Sequence, residues 1–384
     1  MDEPDRPKPP PRPRRTAAGP TDAAAPTAAK PARPRATVSP GPAHVEAQTP
    51  PPDPVPSFLR ERAPTPKPAP TRTEARPADA SPRSQRFISW LVGFLPERQR
   101  TAALNYLVLM RMDRPVGALL LLWPTWWALW FAAKDFPPIG TLVVFTLGVF
   151  VMRSAGCVIN DYADHEWLDA HVERTRGRPM AAGGVSRGEA LLLFGVLMLL
   201  AFGLVQFTNR LTIQLSFVGA ALAAIYPFTK RVTHRAQVVL GAAFGWSIPM
   251  AFAAVTNSLP PLCWLLFLAN VLFSTIYDTE YAMVDREDDL RVGAKSTAIL
   301  FGEADLTIIG ILMATFLSAM LLAGTRVELH WPYFVGLAIA AALFGWQFWM
   351  IRDRSRAHCF AAFRMNNWVG LALWVGLVLA LAVR

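Results

Sequence analysis

The sequence has little charge, few cysteines and few histidines. Only 17% of its 384 residues are charged, against 53% hydrophobic. The apolar residues are concentrated: after residue 115 there are several runs of about 18 or more, and a soluble domain rarely holds one. The three cysteines, Cys157, Cys263 and Cys359, lie far apart in apolar segments. An odd count at that spacing excludes a disulfide framework and a thiolate metal site, so they are expected to pack. The few histidines, His165, His171 and His234 among them, read as surface or capping residues. The net charge of +10 would suit a nucleic-acid binder. The basic residues instead sit between the apolar runs, where the positive-inside rule places them, so no nucleic-acid partner is expected.

What is present divides into three parts. Residues 1–86 hold about two-thirds of the 34 prolines, with Ala, Arg, Thr and Ser. Such a composition buries too little apolar surface to offset its ordering entropy, and it reads as a disordered tail. Its opening, Met1-Asp2-Glu3-Pro4-Asp5, is acidic and proline-broken, so a targeting peptide is not expected. Residues 87–115 read as an amphipathic juxtamembrane segment, with Leu104, Leu107, Val108 and Arg111 at helical spacing behind Pro96. Residues 116–384 read as an all-α integral membrane domain.

That domain divides into nine spans, at about 116–133, 139–160, 189–207, 211–229, 236–254, 261–280, 305–324, 331–351 and 364–383, each able to cross about 30 Å of hydrocarbon as a helix. The connections after even-numbered spans are basic: Arg174, Arg176, Arg178 and Arg187; Lys230, Arg231 and Arg235; Arg286, Arg291 and Lys295; Arg352, Arg354 and Arg356. Those after odd-numbered spans carry little charge. This alternation puts the even loops and the N-terminus in the cytoplasm. Trp123, Trp126, Trp127 and Trp130 read as interfacial or packing aromatics.

Two acidic clusters abut spans on that same side, where a carboxylate is costly to place and marks a candidate site. The first is Asn160, Asp161, Asp164 and Asp169; the second is Asp278, Asp285, Asp288 and Asp289. Asp285 and Asp289 share a helix face, and Asp278 lies two turns earlier on the same stripe. Carboxylate and amide oxygens suit a hard ion such as Mg²⁺, which commonly binds through one or two carboxylates plus substrate phosphates. Arg153, Arg174, Arg178, Lys230, Arg231 and Lys295 can neutralise a diphosphate beside it. Any one such aspartate is usually just solvated. Two clusters, each flanked by basic residues, argue for a site.

Asn160-Asp161-Tyr162-Ala163-Asp164 through Asp169 to Thr175, then Arg178-Pro179, resembles the first aspartate-rich motif of the UbiA-type 4-hydroxybenzoate polyprenyltransferases. Tyr277 to Asp289, running on to Gly302, resembles the second. Asp113 to Ala118 into Trp123-Pro124-Thr125, Tyr226 to Arg231, and Gly241 to Ala254 are also similar. The resemblance runs from about residue 105 to the C-terminus. It implies a nine-helix bundle with a central cavity capped by two Asp-rich cytoplasmic loops, in a cell inner membrane. It also implies that Asp161, Asp164, Asp169, Asp285 and Asp289 hold Mg²⁺ against a polyprenyl diphosphate. Asn160 would assist, and Arg231 would contact diphosphate or aromatic acid. The implied reaction is Mg-dependent prenyl transfer to the 3-position of 4-hydroxybenzoate, toward ubiquinone, with Asp164, Asp285 and Arg231 catalytic. Asp278, Arg174, Arg178, Lys230 and Lys295 are further substrate-binding candidates. Arg153, near the end of span 2, is the candidate for the acceptor's carboxylate.

In two places the sequence departs from the family pattern. Four residues, His165 to Leu168, separate Asp164 from Asp169, one more than is usual. On a regular helix that turns Asp169 by about 100°. Either a π-bulge absorbs the residue, or the segment is not helical, or Asp169 yields its place to Asp161 or Glu166. Glu280 stands where a neutral Gln is common. Two alternatives remain: another aromatic acceptor on the same fold, and an ion-coupled transporter. A transporter places its coupling residues near the bilayer midplane, not at one interface. Oligomeric state and prenyl chain length are not legible.

Overall fold

The apolar runs fold as the helices their length requires. The computed structural model describes residues 82–172 and 174–383. The tail expected over 1–86 lies outside the described residues up to 81; residues 82–86 are already helical. Helix α1 covers Pro82–Leu91 and α2 covers Glu97–Leu109, so the segment before the membrane is two helices rather than one. The buried residues of α2 are Asn105, Val108 and Leu109, while Leu104 and Leu107 are half-buried. Arg111 is not part of a helical stripe: it stands beyond α2 with φ 58°, in the left-handed region.

Nine helical segments, among the described residues, are long and apolar enough to cross a membrane. They comprise α3 (Val116–Ala133), α4 (Ile139–Asp164), α5 (Arg187–Val205), α6 (Arg210–Thr229), the pair α7 (Ala236–Gly245) and α8 (Ser247–Thr256), and α9 (Pro261–Val292). The short α10 (Thr297–Phe301) leads into α11 (Asp305–Arg326), followed by α12 (Trp331–Met350) and α13 (Arg356–Ala382). The fifth span is thus broken at Trp246. Local chemistry sets several ends. Ser186 and Glu189 form a reciprocal capping box at the start of α5, Asn209 caps α6, and Gly293 closes α9 at φ 74°. Each satisfies backbone groups that a helix end leaves unpaired.

The main core lies among α3, α8, α9, α11, α12 and α13. Phe273 and Phe316 stack with centroids 5.1 Å apart, against Trp127 and Phe344. Trp123, Trp127 and Trp130 are packing residues buried in this core. Gly336 and Gly376 let α12 and α13 touch backbone to backbone, since a Cβ on Gly336 would stand 2.6 Å from the Ala372 carbonyl oxygen. Small residues permit such approach where lipid supplies no hydrophobic drive. On the other side α5 and α6 are the least buried spans. They leave room for a cavity of ≈ 1320 Å³ between α4, α5, α6, α7 and the end of α9.

Candidate active site

Both acidic clusters open onto this one cavity. They sit on helices, as the spacing of Asp285 and Asp289 suggests, rather than in the Asp-rich loops that the resemblance implies. Asp161 and Asp164 end α4, and Asp278, Asp285 and Asp289 lie on α9, whose 32 residues carry it past its apolar run. Behind the acidic mouth the wall turns apolar, through residues such as Phe145, Met198, Phe217 and Met250.

The residue in excess before Asp169 is taken up by a π-helical turn over His165–Asp169. A π turn holds one more residue than an α turn. Asp169 therefore stays on the side of Asp161 and is 1% exposed. Nη1 of Arg178 donates to Asp161 at 3.1 Å and to both oxygens of Asp169 at 2.9 Å. Nη2 of Arg111 donates to the two oxygens of Asp161 at 2.8 and 2.9 Å. Nζ of Lys230 donates to Asp164 at 2.9 Å and to the amide oxygen of Asn160 at 3.0 Å. The amide nitrogen of Asn160 donates to Asp164 at 3.1 Å, and the second oxygen of Asp164 is buried without a partner among the described residues.

Across the mouth, Nε of Arg174 donates to Asp285 at 3.0 Å, its Nη2 makes a second bond to the same carboxylate, and its Nη1 donates to the Tyr281 hydroxyl at 2.7 Å. Asp278 and Asp289 line the cavity and, among the described residues, form no ion pair. Asp288 faces away, paired with Arg356 at 3.0 Å. With the bridge from Arg286 to buried Asp305 at 3.2 Å, it ties the outer face of α9 to its neighbours.

Electrostatics follow from this pairing. Burial opposes the charge on Arg178, but Asp161 and Asp169 facing it hold its pKa well above the usual range. The same contest, won by Asp164 and Tyr226, raises Lys230, and for Arg174 it is won by Tyr281 and Asp285. All three stay cationic. Burial lifts the Asp113 carboxyl above its normal value against the pull of Arg114 and Arg111.

Two sequence-derived candidates stand differently from the rest. Arg231 is exposed and outside the cavity wall: its guanidinium donates to the Ala163 carbonyl and lies 5.3 Å from the Trp167 ring. The reason is angular, because neighbours on a helical turn point about 100° apart, and Lys230 takes the inward direction. Lys295 lines the cavity, but its Nζ donates to the Val232 carbonyl at 3.2 Å. Arg153 lines the cavity from α4, and among the described residues it makes no hydrogen bond or ion pair. Arg111, Tyr226, Tyr277 and Tyr281 also line the cavity and were not singled out as site residues from the sequence. A charge at the helical spacing of Leu104, Leu107 and Val108 was the available signal for Arg111.

Among the described residues no three carboxylates converge into a closed metal cage. An open set of oxygens, one of them a buried unpartnered Asp164 atom, fits an ion that keeps water and draws part of its shell from phosphate.

Residues 121–370 match the model of the UbiA prenyltransferase family. A 4-hydroxybenzoate octaprenyltransferase of Xanthomonas campestris pv. campestris (strain B100) is 60% identical over 280 residues, covering 73% of this chain and 93% of that protein. Another, from Alkalilimnicola ehrlichii, is 59% identical over 282 residues, covering 73% and 96%. Among solved structures, a UbiA homolog from Aeropyrum pernix K1 superposes with a TM-score of 0.61 at 22% identity, over 68% of this chain and 97% of that one. A UbiA homolog from Archaeoglobus fulgidus bound to GPP and Mg²⁺ gives 0.56 at 17% identity, over 71% and 99%. At these identities the structural likeness speaks for the fold.

Proposed function

The chain belongs to the UbiA prenyltransferase family, and on that premise we propose that it moves a polyprenyl group from polyprenyl diphosphate to the 3-position of 4-hydroxybenzoate. Diphosphate and a proton are released, and the product lies on the route to ubiquinone. The observation that carries this reading is one cavity that is acidic and basic at its mouth and apolar behind it. One end suits a diphosphate and the other a hydrocarbon chain.

Asp161, Asp164 and Asp169 from α4 and its π turn, with Asp285 and Asp289 from α9, would hold Mg²⁺, with Asn160 in support. When bound, the ion draws charge from the diphosphate and so stabilises it as a leaving group. Arg178, Lys230 and Arg174 supply fixed positive charge to the phosphate oxygens as the allylic C–O bond breaks. The bonding pair departs with the diphosphate. The ring carbon ortho to the phenol oxygen then attacks the allylic carbon and loses its proton. Arg153, which lines the cavity, would hold the acceptor's carboxylate. The apolar wall excludes water from the electron-poor allyl group.

The chain is a multi-pass membrane protein. We place it in a cell inner membrane, as its family resemblance implies, and put its N-terminus and the acidic mouth on the cytoplasmic side on the strength of the basic even-numbered loops. The test is product analysis by mass with purified protein, Mg²⁺, a set of prenyl diphosphates and a panel of aromatic acceptors. A prenylated 4-hydroxybenzoate formed in preference to other adducts is expected. Exclusive use of another acceptor would overturn the acceptor assignment.

A further inference from the structure

Gly117 lies in the first turn of α3, against Arg153 of α4. A Cβ built on Gly117 would stand 2.6 Å from Nη2, 2.8 Å from Nε and 3.1 Å from Cζ of Arg153. Three atoms of one guanidinium at that range mean that the planar group rests on bare glycine backbone. Among the described residues nothing fixes it by hydrogen bonding: Nε is buried without a partner, and the side chain has no ion pair. Asp278, Tyr226, Tyr277 and Tyr281 line the same cavity, and among the described residues none of them bonds to it. An arginine with a free fork and no anchoring bond depends on shape for its position.

We propose that Gly117 is a specificity-determining positioning residue: its missing side chain seats the Arg153 guanidinium where it receives the carboxylate of the aromatic acceptor. The inference rests on the reading of Arg153 as that carboxylate's partner. A methyl group at position 117 meets only the end of a flexible side chain, so the fold accommodates it and the guanidinium moves. The helix start itself gains from the exchange, because alanine is the better helix former. The change therefore acts on the acceptor and leaves the acidic mouth alone. A fork displaced by even one ångström loses bidentate contact with a carboxylate, and Lys cannot replace that planar geometry.

The test is a double-mutant cycle in purified, detergent-solubilised enzyme, reading KM for 4-hydroxybenzoate, KM for prenyl diphosphate and kcat. Gly117→Ala is expected to raise KM for 4-hydroxybenzoate about tenfold or more, the scale of one lost charged hydrogen bond. KM for prenyl diphosphate should stay within about twofold of wild type. In an Arg153→Ala background, the same glycine substitution should add nothing, because residues acting through one contact are not additive. Thermal unfolding of each variant separates folding from binding. If Arg153→Ala raises the acceptor KM but Gly117→Ala does not, the positioning inference falls and the Arg153 reading stands. Equal effects of Gly117→Ala with and without Arg153 also overturn the inference. If Arg153→Ala leaves the acceptor KM unchanged, the reading beneath it fails first.

Discussion

One nitrogen of Arg178 bonds both Asp161, on α4, and Asp169, at the far end of the π turn, at 3.1 and 2.9 Å. The arginine thereby fixes how the π turn leaves α4. Removing it strands Asp169, which has no other cation bonded to it among the described residues. Breaking a buried pair by deleting one partner costs about 3–5 kcal/mol. Arg178→Ala should therefore lower the thermal unfolding midpoint in detergent, and Arg178→Lys should do so less.

Asp164 and Asp285 stand on opposite sides of the cavity mouth, bonded to Lys230 and Arg174. Asp164→Ala and Asp285→Ala should each cut prenyl transfer by about 10²–10³-fold, the scale of one lost electrostatic contributor. Insertion should persist, because neither side chain packs in the apolar core. Near-normal activity in membranes carrying either variant would defeat the assignment.

Asp161, Asp164, Asp169 and Asp285 are already bonded to arginine or lysine, so a divalent ion that draws on them must displace a cation to bind. A diphosphate offers those cations new partners. Metal and diphosphate should thus bind synergistically, each tightening the other by about 5–150-fold, since coupling between two ligands is reciprocal. Titration of Mn²⁺ with and without pyrophosphate, followed by electron paramagnetic resonance, checks this. Equal affinity in both conditions would contradict it.

Away from the site, Asn366 of α13 donates to Glu280 of α9 at 2.7 Å, and both residues are fully buried. Asn366→Ala leaves a buried carboxyl group without this bond and should destabilise the protein by about 1–3 kcal/mol. Glu280→Gln keeps an acceptor for the same N–H and should be nearly silent. Thermal unfolding of the two variants reads the difference.

Gly336 faces the backbone of α13, and backbone cannot yield as a side chain can. Gly336→Ala should cost about 1–3 kcal/mol by overpacking, seen as a lower unfolding midpoint without a change in acceptor KM.

Much of this was legible in the sequence because lipid permits so few solutions. With no water to satisfy backbone groups, each apolar run must be a helix of fixed length, and nine were readable from composition alone. The break at Trp246 has a local signal in Pro249, which cannot donate to the Gly245 carbonyl four residues earlier and so sits in the first turn of a new helix; the apolar run passes through it without a change in hydropathy. The spacing before Asp169 gave a mismatch of one residue, and a π turn was one of the ways to resolve it. The four-residue spacing of Asp285 and Asp289 already points to a shared helix face, and what the apolar run does not disclose is that α9 continues as one helix well past it. Arg111 and Arg231 were misread through register. Arg111 was counted on a helix that stops at Leu109, and Arg231 was grouped with Lys230 although the two point apart. Which cation pairs with which carboxylate depends on contacts up to 111 residues apart in the chain, and local pattern does not encode them.

The central claim is that carboxylates from α4 and from α9 act on one ligand at one mouth. The most direct measurement is Mn²⁺ binding in the presence of a non-reactive prenyl diphosphate analogue, read by electron paramagnetic resonance in wild type, Asp164→Ala and Asp285→Ala. The account predicts that each single variant loses the ordered metal signal, because one ion complex draws on both sides. Wild-type binding in either variant would contradict it.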